Sequence, residues 1–176
     1  MKRILIATLL FAITAPLSAQ SVNLDFPGLS EKAKEVVDIT LDGDMLRLAS
    51  KFLSRDDSDE RAVRDVVNKL TGLYVRSYSF EREGEYDRAS IAKLRSSLGP
   101  AWKKIVDVRS KLREDAEIYV DTRGGSPSGL LIISAEPREL TIVNIVGPID
   151  LDQLSRLEGQ FGIPKMSKEK EKEKNQ

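Results

Sequence analysis

The chain has 176 residues, 28 Lys and Arg against 28 Asp and Glu, and neither His nor Cys. That length suits one domain with a core of its own and falls short of two. The two missing residue types rule out disulfides, thiolate or imidazole metal ligands, a cysteine nucleophile and a Ser-His-Asp triad; the balanced charge gives no long-range pull toward nucleic acid or anionic membrane.

Met1-Lys2-Arg3 is a short basic start, Ile4 to Leu17 is an apolar run, and Leu17-Ser18-Ala19 ends on a small residue. This is the three-part pattern of a secretory signal peptide, with cleavage expected after Ala19. The apolar run is shorter than the ~20 residues of a comfortable bilayer span, so the expectation is an exported chain, periplasmic or secreted, with no stable membrane anchor once residues 1–19 are removed. No Cys follows the apolar run to take a lipid.

Residues 20–30 read as a loose lead-in, with a turn at Pro27-Gly28. Val36, Val37, Ile39 and Leu41 predict a strand, broken at Asp42-Gly43-Asp44. Met45, Leu48, Ala49 and Phe52 recur at helical spacing. After the acidic loop Arg55–Glu60, Asp57 with Glu60 fits a capping box for a helix whose stripe is Val63, Val66, Val67 and Leu70. Leu73–Phe80 alternates as a strand, with Tyr74, Arg76, Tyr78 and Phe80 on one side. A turn around Gly84 leads to a helix marked by Ile91, Leu94 and Leu98 and stopped at Gly99-Pro100.

Trp102–Val108 and Ala116–Asp121 predict two more strands. The Gly124–Gly129 turn then introduces two nearly continuous apolar runs, Leu130–Ser134 and Leu140–Gly147, of the kind buried on both faces. The last three strands read as an antiparallel meander. Asp150 and Gln153 cap a final helix with the stripe Leu151, Leu154, Leu157 and Phe161. Lys165–Gln176 is Lys-Glu alternation with almost no apolar content, expected to be disordered. The organisation is a signal peptide (1–19), a single α+β domain (20–164) in the order βααβαββββα, and a charged tail (165–176). The domain is expected to be a largely antiparallel mixed sheet with helices packed on one face.

Four passages together resemble a known family: Val36–Phe52, Gly72–Phe80, Trp102–Ser110, and Val143-Asn144-Ile145-Val146-Gly147-Pro148-Ile149-Asp150. The chain is similar through most of residues 24–160 to the bacterial domain of unknown function family 4252. The resemblance implies export and a compact α/β module in the envelopes of Gram-negative bacteria, and it supplies no catalytic residues to carry over. Some members look like lipoproteins, from which this chain departs in lacking the anchoring Cys. Members are sometimes encoded near extracytoplasmic sigma-factor regulators, which implies a role in envelope signalling.

Three clusters are candidates for chemistry. Ser90-Ile91-Ala92-Lys93 matches an S-x-x-K nucleophile motif, in which a Lys one helical turn away receives the Ser proton; the Ser-Asp-Asn and Lys-Thr-Gly elements that accompany it in penicillin-binding enzymes are absent, so a solvated helix face is the plainer reading. Asp56, Asp57, Asp59 and Glu60 offer oxygen ligands to a cation, but an EF-hand counted from Asp57 needs Gly at Ala62 and Glu at Asn68; acids favoured at a helix N-terminus explain them more simply. Arg76 between Tyr74 and Tyr78 could stack on a ligand, or pack across strands. No cofactor is implied. The expectation is a non-enzymatic envelope module that binds a protein or a small ligand, not nucleic acid. The alternatives are a small hydrolase using carboxylates or Ser90 and Lys93, and a structural envelope protein.

Overall fold

The computed structural model describes residues 22–110 and 115–150. The expected signal peptide, the expected helix from Leu151 onward and the Lys-Glu tail lie outside the described residues. Chain order begins with α1 (Pro27–Ser30), β1 (Glu35–Asp42), α2 (Gly43–Ala49), a 3-10 turn (Ser50–Phe52), α3 (Ser58–Val67), β2 (Gly72–Ser79) and α4 (Arg88–Ser97). It continues with β3 (Trp102–Val108), β4 (Asp115–Asp121), a 3-10 turn (Arg123–Gly125), β5 (Gly129–Ala135) and β6 (Glu139–Val146).

All six strands form one sheet in the order β1-β2-β6-β5-β4-β3. Every neighbouring pair is antiparallel. β3 to β6 are the expected meander extended by one strand; β2 then lies against β6, and β1 closes the other edge. The α+β single domain is as expected, with a purely antiparallel sheet instead of a mixed one.

Strand alternation divides the core in two. The face carrying Tyr78, Tyr119, Leu131, Ile133, Leu140 and Ile142 is covered by Ile91 and Leu94 of α4 and by the lead-in through Leu24 and Leu29. The opposite face carries Ile118, Val120, Leu130 and Ile132, and Val63 of α3 packs there. Helices therefore flank both faces, where one was expected, because the β5 and β6 runs are apolar at consecutive positions and both sides need cover. The lead-in also departs from a loose segment. Val22, Leu24 and Phe26 alternate toward the core, and the Tyr78 hydroxyl reaches the Leu24 carbonyl at 3.5 Å.

Local chemistry sets the element ends. Asp42 accepts the Met45 N–H at 2.8 Å and Asp87 the Ala89 N–H at 2.8 Å, satisfying donors that a first helical turn leaves open. Asp57 accepts the Glu60 N–H at 3.0 Å, while the Glu60 carboxylate turns to the Ser54 N–H, so only half of the expected box forms. At the end of β6, Gly147 holds φ 139°, and a Cβ there would lie 2.9 Å from the Leu70 Cα. The chain can leave the sheet beneath α3 only with glycine at that corner.

Candidate functional site

The sheet register brings polar side chains into rows on the α4 face. One row reads Asp38, Arg76, Ile142, Ile133, Glu117 and Asp107 across all six strands. The next reads Thr40, Tyr74, Asn144, Leu131, Tyr119 and Lys104. Both rows are buried at the centre; the first is charged toward both edges, the second only at Lys104.

At the β3 edge the charges form a closed network. Glu117 is 5% exposed and accepts from Arg95 Nε of α4 at 2.7 Å, from the Tyr119 hydroxyl at 3.0 Å and from Lys104 Nζ of β3 at 3.3 Å. Lys104 also donates to Asp107 at 2.8 Å, and Arg109 brackets Asp107 at 3.0 and 3.2 Å. Burial pushes the Glu117 carboxyl up, but the donors from Arg95, Tyr119 and Lys104 outweigh it and hold the group below its ordinary value. Burial and the Glu117 hydrogen bond push Tyr119 up. A carboxylate kept ionised, with three donors on its oxygens, has the electrostatics of a clasp. A general acid needs the reverse shift. The clasp fastens α4 and β3 to β4. Asp121, also buried, is held ionised by Arg123 in the turn that follows β4, against the upward push of burial.

Nothing in the sequence singles out Glu117 or Asp121 among 28 acids. The usable signal is a carboxylate in a strand, one position from Ile118 or Val120, where burial forces it to find a partner.

The residues proposed from sequence fall in three places. Ser90 sits half-buried in the first turn of α4 with its N–H on the Asp87 carbonyl, and Lys93 is exposed; no hydrogen bond joins the two side chains among the described residues. Asp57 and Glu60 are turned onto backbone N–H groups, Asp56 is exposed, and the side chain of Asp59 lies outside the description. No group of three or more metal-ligating side chains converges among the described residues. Tyr74, Arg76 and Tyr78 do share one face, but Tyr78 is sealed in the core, and Arg76 pairs with Asp38 across the strands. Tyr74 is half-buried beside Asn144, whose side chain is fully buried and whose amide finds no hydrogen-bond partner.

The other departure from expectation is on the surface. Met45, Leu48 and Phe52 share a stripe as predicted, yet that stripe faces solvent, with Phe52 86% exposed; α2 buries Leu46 instead. Val37 and Ile39 of the adjoining β1 are exposed as well, and so is Val36 on the opposite side of the strand. The described residues thus place an apolar surface on the β1–α2 segment, away from the Glu117 clasp at the far edge of the sheet.

The sequence profile of the domain of unknown function DUF4252 matches residues 30–157. The chain belongs to the DUF4252 family. The match takes in the whole sheet, from β1 to β6, together with α2 to α4, so both the Glu117 clasp and the exposed β1–α2 surface lie inside the DUF4252 region. No curated protein and no solved structure matches the chain.

Proposed function

We propose that this DUF4252 protein is an exported binding module of the cell envelope, holding a protein partner on the surface built by β1, α2 and the following 3-10 turn. The supporting observation is the exposed stripe of Met45, Leu48 and Phe52, together with the exposed Val37 and Ile39 of the strand that leads into it. Five large apolar side chains within a short stretch of chain carry a hydration cost that burial under a partner would remove. The basic-apolar-small pattern of residues 1–19 supports export. The family's neighbourhood to extracytoplasmic sigma-factor regulators favours signalling as the context. The clasp at the other edge favours a rigid platform for such binding.

A photo-reactive residue placed at Phe52 or Leu48 in living cells tests this reading, with the same residue at exposed Lys93 as control. A discrete adduct from positions 48 and 52, absent from position 93, is the expected result. Indistinguishable patterns from all three positions would remove the surface from consideration. Recovery of the intact chain, Met1 included, from the cytosol would remove the envelope.

A further inference from the structure

Among the described residues, β1 has one strand partner. It pairs with β2 along its whole length, from Glu35 opposite Ser79 to Asp42 opposite Gly72, with no break in register. Its other side presents a row of backbone N–H and C=O groups. Proteins normally guard such an edge with a bulge, a proline, an inward charge or a lysine. The other edge strand, β3, has these guards: its register to β4 shifts between Lys104 and Val106, and Lys103 and Lys104 lie on it. β1 has neither bulge nor Pro nor Gly in Glu35–Asp42, its nearest lysine, Lys34, lies just ahead of it, and the charge it carries on the α4 face, Asp38, is exposed and neutralised by Arg76. Seven of its eight residues are exposed, among them Val36 on one side and Val37 and Ile39 on the other.

We propose that the free edge of β1 takes up one strand of the protein partner, extending the sheet to a seventh strand; this deepens the binding-module reading and rests on it. The chemistry of the incoming strand follows from the edge. β1 carries three acids, Glu35 on one face of the sheet and Asp38 and Asp42 on the other, separated by apolar residues. A matching strand is basic opposite those acids and apolar opposite Val36, Val37, Ile39 and Leu41, because opposite charges facing each other across strands stabilise and like charges repel. The same charges oppose pairing of two copies of this chain through β1. The junction would hold six carboxylates, two of them already paired with Arg76, and an antiparallel register centred on Asp38 sets that acid of each copy directly against the same acid of the other. Backbone hydrogen bonds supply affinity, and the exposed Met45, Leu48 and Phe52 of the segment that follows β1 offer apolar surface to the rest of the partner.

The probe is the antiparallel complement of β1, acetyl-KVTVKVVK-amide, added to the full chain. Hydrogen exchange of the β1 amides is followed by NMR. Two controls accompany it: the acidic counterpart EVTVEVVE, and the basic peptide N-methylated along one edge and then along the other, since one of the two must remove the donors that face β1. The basic peptide is expected to slow exchange of β1 amides by about tenfold or more. The acidic peptide and one of the methylated peptides are expected to have no effect. Glu35→Lys with Val37→Lys should weaken binding of the basic peptide by at least about tenfold. The methylated controls act on the unaltered protein, so the test stands even where that variant folds poorly. Concentration-dependent dimers protected at β1 without any peptide would overturn the proposal in favour of a second copy. Binding of both methylated peptides as tightly as the parent would overturn strand addition. If β1 stays unprotected while Phe52 still forms its adduct in cells, strand addition fails and the binding-module reading survives; loss of both signals ends both.

Discussion

The two edges of this sheet are built on opposite plans. β3 is bent by a bulge, carries two lysines, and is fastened through Lys104 to the buried Glu117, which also holds Arg95 of α4. β1 keeps an unbroken register, is acidic and apolar by turns, and among the described residues is tied to the body by its pairing with β2, the ion pair of Asp38 with Arg76 and the Asp42 cap on α2. Both edges meet the same hazard of unwanted strand pairing. A buried charged clasp costs desolvation and gives a fixed geometry, whereas an open edge of exposed valine and isoleucine costs solubility. The proposed strand addition would give the open edge at β1 a use that the guarded β3 edge lacks.

Equivalent truncations at the two edges should separate them most widely. Glu117→Ala removes the acceptor of three donors and is expected to lower stability by about 2 kcal/mol. Asp38→Ala, at a solvent-screened pair, is expected to cost under about 1 kcal/mol. Urea unfolding monitored at Trp102 measures both, and equal losses would erase the contrast between clasp and open edge.

Titration should break the same clasp without mutation. Glu117 and Asp121 both sit below their ordinary values of 4.5 and 3.8 in the folded protein. A carboxyl depressed by folding contributes its full stability above its unfolded value and loses it as pH falls through the folded one. Stability should therefore decline below about pH 4.5 and continue to fall as the two buried groups take up protons. At the alkaline end Tyr86, Tyr119 and Lys104 are raised, so their contribution is complete below their unfolded values near 10 and is lost above them. With no His in the chain, no side chain of ordinary pKa titrates between these limits. Melting temperature should form a plateau across neutral pH, and in Glu117→Gln the acid limb should be shallower.

The centre of the sheet offers a smaller test. Asn144 lies between the two edges, fully buried, with an unpartnered amide. An unsatisfied buried polar group costs about 1–3 kcal/mol, and an apolar replacement of similar shape removes that cost. Asn144→Leu is expected to raise stability by about 1 kcal/mol, read as a higher melting temperature. A fall would mean that the amide has a partner in solution. Smallest of all, Ile39→Lys on the exposed side of β1 should shift stability by no more than about 0.5 kcal/mol while reducing self-association at high concentration. A large loss of stability would show that Ile39 is packed and the edge is not open.

Much of this fold was readable in the residues. The β-branched runs of β1, β5 and β6 and the Asp57 cap mark elements and their ends by local chemistry, which sequence carries directly. What sequence could not supply was which side of an element meets a partner. Met45, Leu48 and Phe52 repeat at helical spacing, and that spacing states only that they share a stripe. A seven-residue helix turned by its Asp42 cap buries Leu46 in their place. The lead-in departs from expectation for the converse reason: Val22, Leu24 and Phe26 alternate too briefly beside Pro27 to read as core, and they pack inward, Leu24 fully, because the Tyr78 face needs a cover. Glu117 was invisible because its partners come from α4 and β3, and only the folded register brings them together. The acids at 56–60 and the Ser90–Lys93 pair gave visible motifs, yet Asp57 and Glu60 are spent on the chain's own backbone.

The connections between strands also set an order of assembly. β3 to β6 follow one another through three successive hairpins, so each pairing closes a short loop. β2 must find β6 across the whole middle of the chain, and β1 must then find β2 beyond α2 and α3. Local pairings form early and distant ones late, because loop closure is costly before the contact rewards it. Substitutions in β5 and β6 should slow refolding, while those in β1 should leave refolding unchanged and hasten unfolding, as stopped-flow kinetics would show. The strand that joins last is then also the first to fray, so any partner that grips β1 would lengthen the lifetime of the whole folded chain.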